Sequence, residues 1–263
     1  MKARILLTIA FTFFINAAAF SGVLIVNGLT HTYEGSSGDR VRGEIILQNT
    51  SNIDQLVTFD LSEAIFSCSE FRKFTKDMSH ERSSLTWFEG NLGDKVLAPN
   101  ERFVYRFSIN IPEDANLKGS YWNMVMIQVE KPMQQQQSNA VALNSKMQYA
   151  VGVMTNVNNI EELDLTFTSI DFLPEAGLPS KNLSVNLENK NLFVEDVKLL
   201  LEIYDATGTK IMEKNTIRNL IFPGFCQEFI LDLTSLAKGN YQCMLIADAR
   251  EEYVGANINL NIE

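Results

Sequence analysis

Histidine, cysteine and clustered basic residues are scarce in this sequence of 263 residues. It has two histidines and three cysteines, and it contains no H-E-x-x-H, C-x-x-C, G-x-S-x-G or glycine-rich phosphate loop. These absences leave no recognisable zinc site, nucleophile elbow or nucleotide loop. The chain has 22 Lys and Arg residues and 32 Asp and Glu residues, so its formal charge is −10. Binding to the phosphate backbone of a nucleic acid needs clustered basic side chains, which an acidic chain of this kind is unsuited to supply. We therefore expect no enzyme activity, no cofactor, no metal and no nucleic-acid partner.

Long hydrophobic runs are also absent, apart from one near the N-terminus. Lys2 and Arg4 precede an apolar run over residues 5–15, and Ala17 and Ala19 then form a small-residue site. This is the pattern of a secretory signal peptide, and the run is shorter than the roughly 20 residues of a membrane span. We predict a signal peptide over residues 1–19, cleaved after Ala19 or alternatively after Ser21. A buried N-terminal helix is the other interpretation. The rest of the chain is expected to be exported, with no integral membrane segment.

The cysteine count is odd. Because Cys68, Cys226 and Cys243 cannot all pair within one chain, an exported protein would keep one thiol free or pair it between molecules. Cys226 and Cys243 are 17 residues apart in one β-rich region and form a candidate disulfide if their Cα atoms lie within about 7 Å. The alternative is three small buried residues without a bridge.

Alternation of apolar and polar residues dominates the body of the chain. It is clearest over residues 41–49, 101–111 and 253–262. A period of two indicates half-buried β-strands, and strands that recur about every ten residues are typical of β-sandwiches. The best helix candidate, residues 69–81, is short and highly charged. The sequence thus predicts an all-β protein made of two tandem immunoglobulin-like sandwiches.

Each half of the chain has room for seven strands. We predict a first domain over residues 22–157 and a second over residues 160–263, separated by a short polar segment that begins at Asn156. The predicted strands lie near residues 23–33, 41–49, 55–61, 84–88, 101–111, 120–130 and 146–156, then 161–172, 182–188, 196–204, 209–216, 225–233, 240–248 and 253–262. Tyr241, two residues before Cys243, matches the tyrosine corner of immunoglobulin-like folds.

Few side chains suggest chemistry. His31 and His80 lie in ordinary surroundings, and neither is paired with a nucleophile motif. Three acidic residues border the predicted junction: Glu161, Glu162 and Asp164. They are expected on the solvent-exposed face of a strand, and the alternative is that their carboxylates bind calcium. Residues 132–139 form a polar tract between two strands. We interpret this tract as a flexible hairpin loop. The alternative is a loop that contacts a partner and becomes ordered when the partner binds.

Several motifs of the first half resemble periplasmic pilus-assembly chaperones. They are Tyr33-Glu34-Gly35 followed by the strand over residues 42–49, Leu97-Ala98-Pro99-Asn100-Glu101, Ile111-Pro112-Glu113-Asp114, Gly119-Ser120-Tyr121-Trp122, and a last strand over residues 146–157. Their order and spacing agree with that family over about 130 residues. The pattern is also similar to exported two-domain proteins that bind WxL-type surface proteins.

The resemblance implies a partner-binding site. In such chaperones an exposed edge strand completes the fold of a client by β-strand addition. The corresponding strand here is residues 146–157, with Met147, Tyr149, Val151 and Val153 on one face. Two basic cleft residues of the family would hold the terminal carboxylate of the client. Their positions correspond to Thr30 and Gln148, with Lys146 two residues before the second.

The sequence supports three hypotheses for the function. The first is a non-enzymatic exported protein that binds a client or surface subunit, as a periplasmic chaperone would. The second is a structural surface subunit or adhesin module that associates with copies of itself at the cell surface. The third and weakest is a glycan-binding or glycan-cleaving accessory, for which Trp87 or Trp122 would have to line an exposed groove.

Overall fold

The computed structural model of the chain describes residues 22–66, 72–130, 146–158, 163–174 and 181–262. In these ranges the protein consists of β-strands, loops and one 3₁₀ turn, Leu85–Trp87. The strands are β1 Val23–Ile25, β2 Thr30–Gly35, β3 Arg40–Asn49, β4 Gln55–Ile65, β5 Lys73–Thr75, β6 Phe88–Gly90, β7 Asp94–Leu97, β8 Arg102–Asn110, β9 Gly119–Glu130, β10 Met147–Val157, β11 Leu165–Pro174, β12 Lys181–Asn189, β13 Glu195–Tyr204, β14 Lys210–Asn215, β15 Asn219–Ile221, β16 Cys226–Asp232, β17 Gly239–Ala249 and β18 Glu252–Ile262.

The strands form four sheets in two pairs. The first sandwich has one sheet in the order β1-β3-β8-β6 and another in the order β2-β10-β9-β4-β5, with β7 also paired to β4. The second sandwich has the orders β11-β12-β16 and β14-β13-β17-β18, with β15 also paired to β13. The predicted all-β fold of two tandem sandwiches is confirmed. The predicted domain limits at residues 157 and 160 stay predictions, and residues 159–162 lie outside the described ranges.

Alternation along the strands builds each core. In the first sandwich Val41, Ile45 and Leu47 of β3 lie opposite Ile109, Tyr105 and Phe103 of β8, while Arg42 and Glu44 face the other side. In the second, apolar residues of β12, β13 and β17 meet between the sheets. Burial of apolar side chains on alternate positions fixes the register, because a slip of one residue would expose the whole set. Two separate cores result.

The same asparagine turn ends one strand of each sandwich, β3 in the first and β12 in the second. Asn49, the last residue of β3, donates from Nδ2 to the carbonyl oxygens of Ile53, Leu97 and Ala98. Asn189, the last residue of β12, donates from Nδ2 to the carbonyl oxygens of Phe193 and Ile221. Both asparagines are 0% exposed. The repeat links Gln48-Asn49-Thr50-Ser51 with Glu188-Asn189-Lys190-Asn191, a similarity that strand alternation alone does not reveal.

The structure differs from the sequence prediction in the first strand. Residues 23–33 form two strands in different sheets, because the chain crosses between the sheets around Gly28, whose φ is +92°. Asn27 holds this crossing, since its side chain accepts from the Ile46 N–H and donates to the Glu44 carbonyl. Short strands β5, β7 and β15 were not predicted, and residues 84–88 are mainly the 3₁₀ turn rather than a strand. The described part of the helix candidate, residues 72–81, contains β5 and no helix.

Some predictions fall outside the described residues. They are the signal peptide, Cys68, the polar tract over residues 132–139, and Glu161 and Glu162. In the part of the chain that the structure does describe, no helix has the length and apolar character to cross a membrane.

Candidate functional site

Strand β10 is paired along its whole length on one side and along half of it on the other. Strand β9 pairs with all of Met147–Val157. On the opposite side β2 pairs in parallel only with Gly152–Val157, beginning where Thr30 lies opposite Gly152. Within the described ranges, Met147–Val151 has no strand on that side. We call this segment the free edge.

Backbone groups of two residues point outward from the free edge. The N–H of Gly152 donates to the Leu29 carbonyl at 2.9 Å, so Gly152 turns its backbone groups toward the β2 side. Because successive residues of a strand direct these groups to opposite sides, Gln148 and Ala150 share the direction of Gly152. Tyr149 and Val151 direct theirs to β9. The free edge therefore offers two N–H donors and two C=O acceptors.

The side chains that were predicted to bind a partner are mostly core residues. Val151 and Val153 are 0% exposed and pack in the first core. Tyr149 packs on the same core and donates its hydroxyl proton to the Val23 carbonyl at 2.5 Å. Met147 alone of this face is exposed, at 40%. Within the described residues, the strand is an edge only over Met147–Val151, because β2 covers Gly152–Val157. Its apolar face, however, points into its own sandwich and is not a free binding surface.

The three polar candidates do not converge. Lys146 is exposed and forms an ion pair with Glu130 at 2.7 Å, which lowers the pKa of that carboxyl. Gln148 and Thr30 are exposed. Gln148 lies four residues before Gly152, the partner of Thr30, which is about 13 Å along a strand. The structure therefore does not bring a basic side chain to both predicted cleft positions.

A cavity of about 170 Å³ lies where the free edge ends, between the two sandwiches. We call it the junction cavity. Its lining residues are Leu29, Thr30, Phe66, Arg72, Phe74, Trp122, Met124, Ala150, Gly152, Met154, Leu220 and Phe222. Leu220 and Phe222 come from the second sandwich and the others from the first. Arg72 is the charged member of this lining, and sequence reasoning missed it because it lies far from β10 in the chain.

An aromatic cluster forms one wall of the junction cavity. Phe66 stacks on Phe222 with ring centroids 3.8 Å apart, and Trp122 meets Phe222 edge-on at 4.7 Å. The indole N–H of Trp122 donates to the Ala64 carbonyl at 2.9 Å. Hydrogen bonds add to the contact, since the Ser120 N–H donates to the Leu192 carbonyl at 2.8 Å. The two sandwiches are thus joined by a buried apolar contact with polar ties beside it.

A buried histidine and carboxylate lie next to this cluster. His80 Nε2 is 3.2 Å from Glu63 Oε2, with side-chain exposures of 11% and 3%, and the His80 ring stacks on Trp122 at 4.4 Å. Burial lowers the pKa of His80 to about 4. Burial also raises the pKa of Glu63, although a hydrogen bond from Ser83 opposes this. His80 is therefore a neutral, buried part of the junction at neutral pH.

The cysteines do not form the predicted bridge. Cys243 is a free, buried thiol in the second core, and burial raises its pKa to about 11. Cys226 is disulfide-bonded, so its partner is not Cys243. Val185 and Leu187 face the core from β12, opposite Phe229 and Gln227 of β16. By alternation Cys226 points to the other face of its sheet, whereas Cys243 points inward, so the two cysteines face different sides.

The other candidate residues have structural roles. Tyr241 donates its hydroxyl proton to the Ala237 carbonyl at 3.0 Å, as expected for a tyrosine corner. Trp87 and Trp122 are 6% and 1% exposed, so neither offers the open face that a sugar-binding groove needs. His31 is half-buried on β2 and stacks with Tyr33. Among the described residues, no group of three or more His, Cys, Asp or Glu side chains could hold a metal ion.

Comparisons with known proteins find structural similarity without sequence similarity. No family model matches the chain. No curated protein matches it either. The chain is similar to the YadV chaperone, with 11% identity, a TM-score of 0.48, and coverage of 90% of this chain and 99% of that one.

Two further similar structures are complexes. One is the CsuC–CsuE chaperone–tip adhesion subunit pre-assembly complex of Acinetobacter baumannii, with 10% identity, a TM-score of 0.48, and coverage of 90% of this chain and 97% of that one. The other is the Salmonella enterica SafA pilin in complex with the SafB chaperone. Its identity is 13% and its TM-score is 0.45, and the match covers 94% of this chain and 99% of that one. Chaperones of this kind are the class that the sequence motifs resemble.

Proposed function

We propose that this protein is a non-enzymatic, exported, chaperone-like protein that binds a client by adding a client strand to the free edge of β10. The observation that carries the proposal is the outward direction of the Gln148 and Ala150 backbone groups, beside a strand β2 that begins only at Thr30. Backbone pairing with an extended segment would satisfy these groups. The motif resemblance to pilus-assembly chaperones supports the same function.

The surroundings of the free edge suit an apolar client. Met147 is exposed at its start, and Leu29 and Phe74 are exposed near its end, at 48% and 40%. Exposed apolar side chains next to unpaired backbone groups favour association with another chain. The client of this proposal is an exported, β-rich protein or surface subunit with an unpaired strand.

Replacement of Gln148 by proline tests the proposal. Proline removes the N–H of residue 148, which points to the free edge, and leaves the bonds to β9 from Met147 and Tyr149 in place. Gln148→Ala removes the same side chain but keeps the N–H, and it is the matched control. Tagged forms of the protein would be used to capture partners from the native cell envelope, and retained proteins would be identified by mass.

We expect the wild type and Gln148→Ala to retain the same one or two exported proteins, and Gln148→Pro to lose them by about tenfold or more. Circular dichroism checks that Gln148→Pro is folded. Equal capture by all three forms would contradict strand addition at this edge. Charged substitutions at Val151 or Val153 would not test this edge, because both side chains are buried in the core and a buried charge there would unfold the first sandwich.

A structural surface subunit is the second candidate function, and one observation favours it. Strand β18, Glu252–Ile262, pairs regularly with β17 along its length and has no strand on its other side in the described ranges. It contains no Lys and no Pro, which usually protect edge strands from pairing with other chains. If the tagged protein retains only further copies of the same protein in the capture experiment, that result would support self-association through such an edge.

A further inference from the structure

We propose that the junction cavity receives one apolar side chain, of leucine to phenylalanine size, carried by the strand that adds to β10. This inference rests on the proposed function and adds a specificity site to it. The cavity lies at one end of the free edge: Ala150 is the last residue there with free outward backbone groups, and Gly152 is the first residue that β2 covers. Both line the cavity.

The direction of the incoming side chain follows from strand pairing. Residues opposite each other on neighbouring strands place their side chains on the same face, with Cβ atoms about 5 Å apart. The client residue opposite Ala150 therefore points to the face of Ala150. On that face the neighbours are Met124 and Met154, which belong to the same apolar cluster. Strand β2 blocks further pairing beyond this point, so this residue lies at the cavity and the rest of the client strand runs away from it toward Met147.

The small residues of β10 make room for this side chain. Ala150 has one methyl group, and a Cβ atom built on Gly152 would meet no atom closer than 3.8 Å. The cavity volume is about 170 Å³. An apolar cavity of about 150 Å³ in another protein holds benzene, so this space fits a phenyl ring or a leucine side chain. Walls of Met124, Met154 and Phe222 would pack on it, and methionine side chains adapt to different apolar shapes.

Benzene is the probe for the cavity, because it tests the site without the client. We expect benzene near saturation to raise the thermal midpoint of the purified protein by about 2–4 °C. Gly152→Leu fills the cavity from β10 and should abolish this rise. If Gly152→Leu does not fold, Ala150→Leu fills the same space from the neighbouring position. Gly255→Leu is the matched control, since Gly255 is also a strand glycine, on β18 away from the cavity, and a Cβ atom built on it would meet no atom closer than 3.7 Å. It should keep the response.

Client capture then separates the two proposals. Gly152→Leu should retain about tenfold less client than Gly255→Leu while both are folded. If Gln148→Pro loses the client and Gly152→Leu keeps it, strand addition stands and the side-chain site is wrong. If Gln148→Pro keeps the client, the proposed function is wrong whatever benzene does. No benzene response in the wild type, or an equal response in Gly152→Leu, would overturn the cavity as an apolar side-chain site.

Discussion

At the scale of residues, the buried pair of His80 and Glu63 has the clearest chemical consequence. The pair lies against Trp122, and the charged groups near it are Glu81, Arg82 and, from the second sandwich, Lys190. Burial disfavours the charged form of both members, so the pKa of His80 is lowered and that of Glu63 is raised. His80, whose surroundings in the sequence are ordinary, and Glu63 therefore become pH-sensitive parts of the junction.

The folded protein should lose stability in acid through His80. Its pKa is about 4 in the folded protein and 6.5 in a model peptide. Between these values the unfolded chain binds a proton that the folded one does not, so the free energy of unfolding falls as pH falls. Glu63 acts in the opposite direction. We expect the thermal midpoint of His80→Gln to drop less than that of the wild type between about pH 7 and pH 4.5. His31→Gln should keep most of the wild-type drop, and identical slopes for all three proteins would contradict the assignment.

At the scale of elements, the asparagine turns fix where β3 and β12 end. Asn189 donates to the carbonyl oxygens of Phe193 and Ile221 and accepts from the Asn191 N–H, at 2.7 to 2.9 Å. These backbone groups lie in the fold interior, where an unpaired polar group is costly. The asparagine side chain thus acts as a structural substitute for a strand partner.

Removal of this side chain should destabilise the second sandwich. Asn189→Ala leaves buried backbone groups without partners, and we expect a loss of about 2–4 kcal/mol in the free energy of unfolding. Urea denaturation followed by circular dichroism measures it. Asn257→Ala, at an exposed position of β18, should change the stability by less than about 0.5 kcal/mol. A loss at Asn189 as small as that at Asn257 would show that the turn does not depend on these bonds.

At the scale of the whole molecule, the aromatic cluster couples the two sandwiches. Phe222 is 8% exposed and contacts Phe66 and Trp122 of the first sandwich. The relative position of the sandwiches depends on this contact, on Val194, Leu220 and Phe225 in the same apolar cluster, and on the ties at Ser120. The free edge and the junction cavity both lie beside it.

Truncation of Phe222 should uncouple the two halves. Phe222→Ala removes a buried ring, and we expect a loss of about 3 kcal/mol together with separate unfolding of the two sandwiches. We expect differential scanning calorimetry to record one transition for the wild type and two for Phe222→Ala. Phe103→Ala is the control, because Phe103 packs only against the core of the first sandwich. This variant should have a lower free energy of unfolding but still unfold in one transition. A single transition in Phe222→Ala would argue against coupling through this contact.

The sequence by itself determined the strand content and the two-sandwich fold. These follow from local information, because a period of two places alternate residues on a buried face whatever the neighbouring strands are. The tyrosine corner at Tyr241 is local in the same sense, since its bond spans four residues.

Only the tertiary structure decided which side of β10 is free, which side chains are buried and where Cys226 and Cys243 lie. The crossing at Gly28 divides the first predicted strand between two sheets, and this sets where β2 stops covering β10. The predicted apolar face of Val151 and Val153 is core because the opposite sheet covers it. Arg72, Phe222 and Gly152 meet at one cavity although they are far apart in the chain. Such contacts depend on the packing of whole sheets, which no pattern within a single strand encodes.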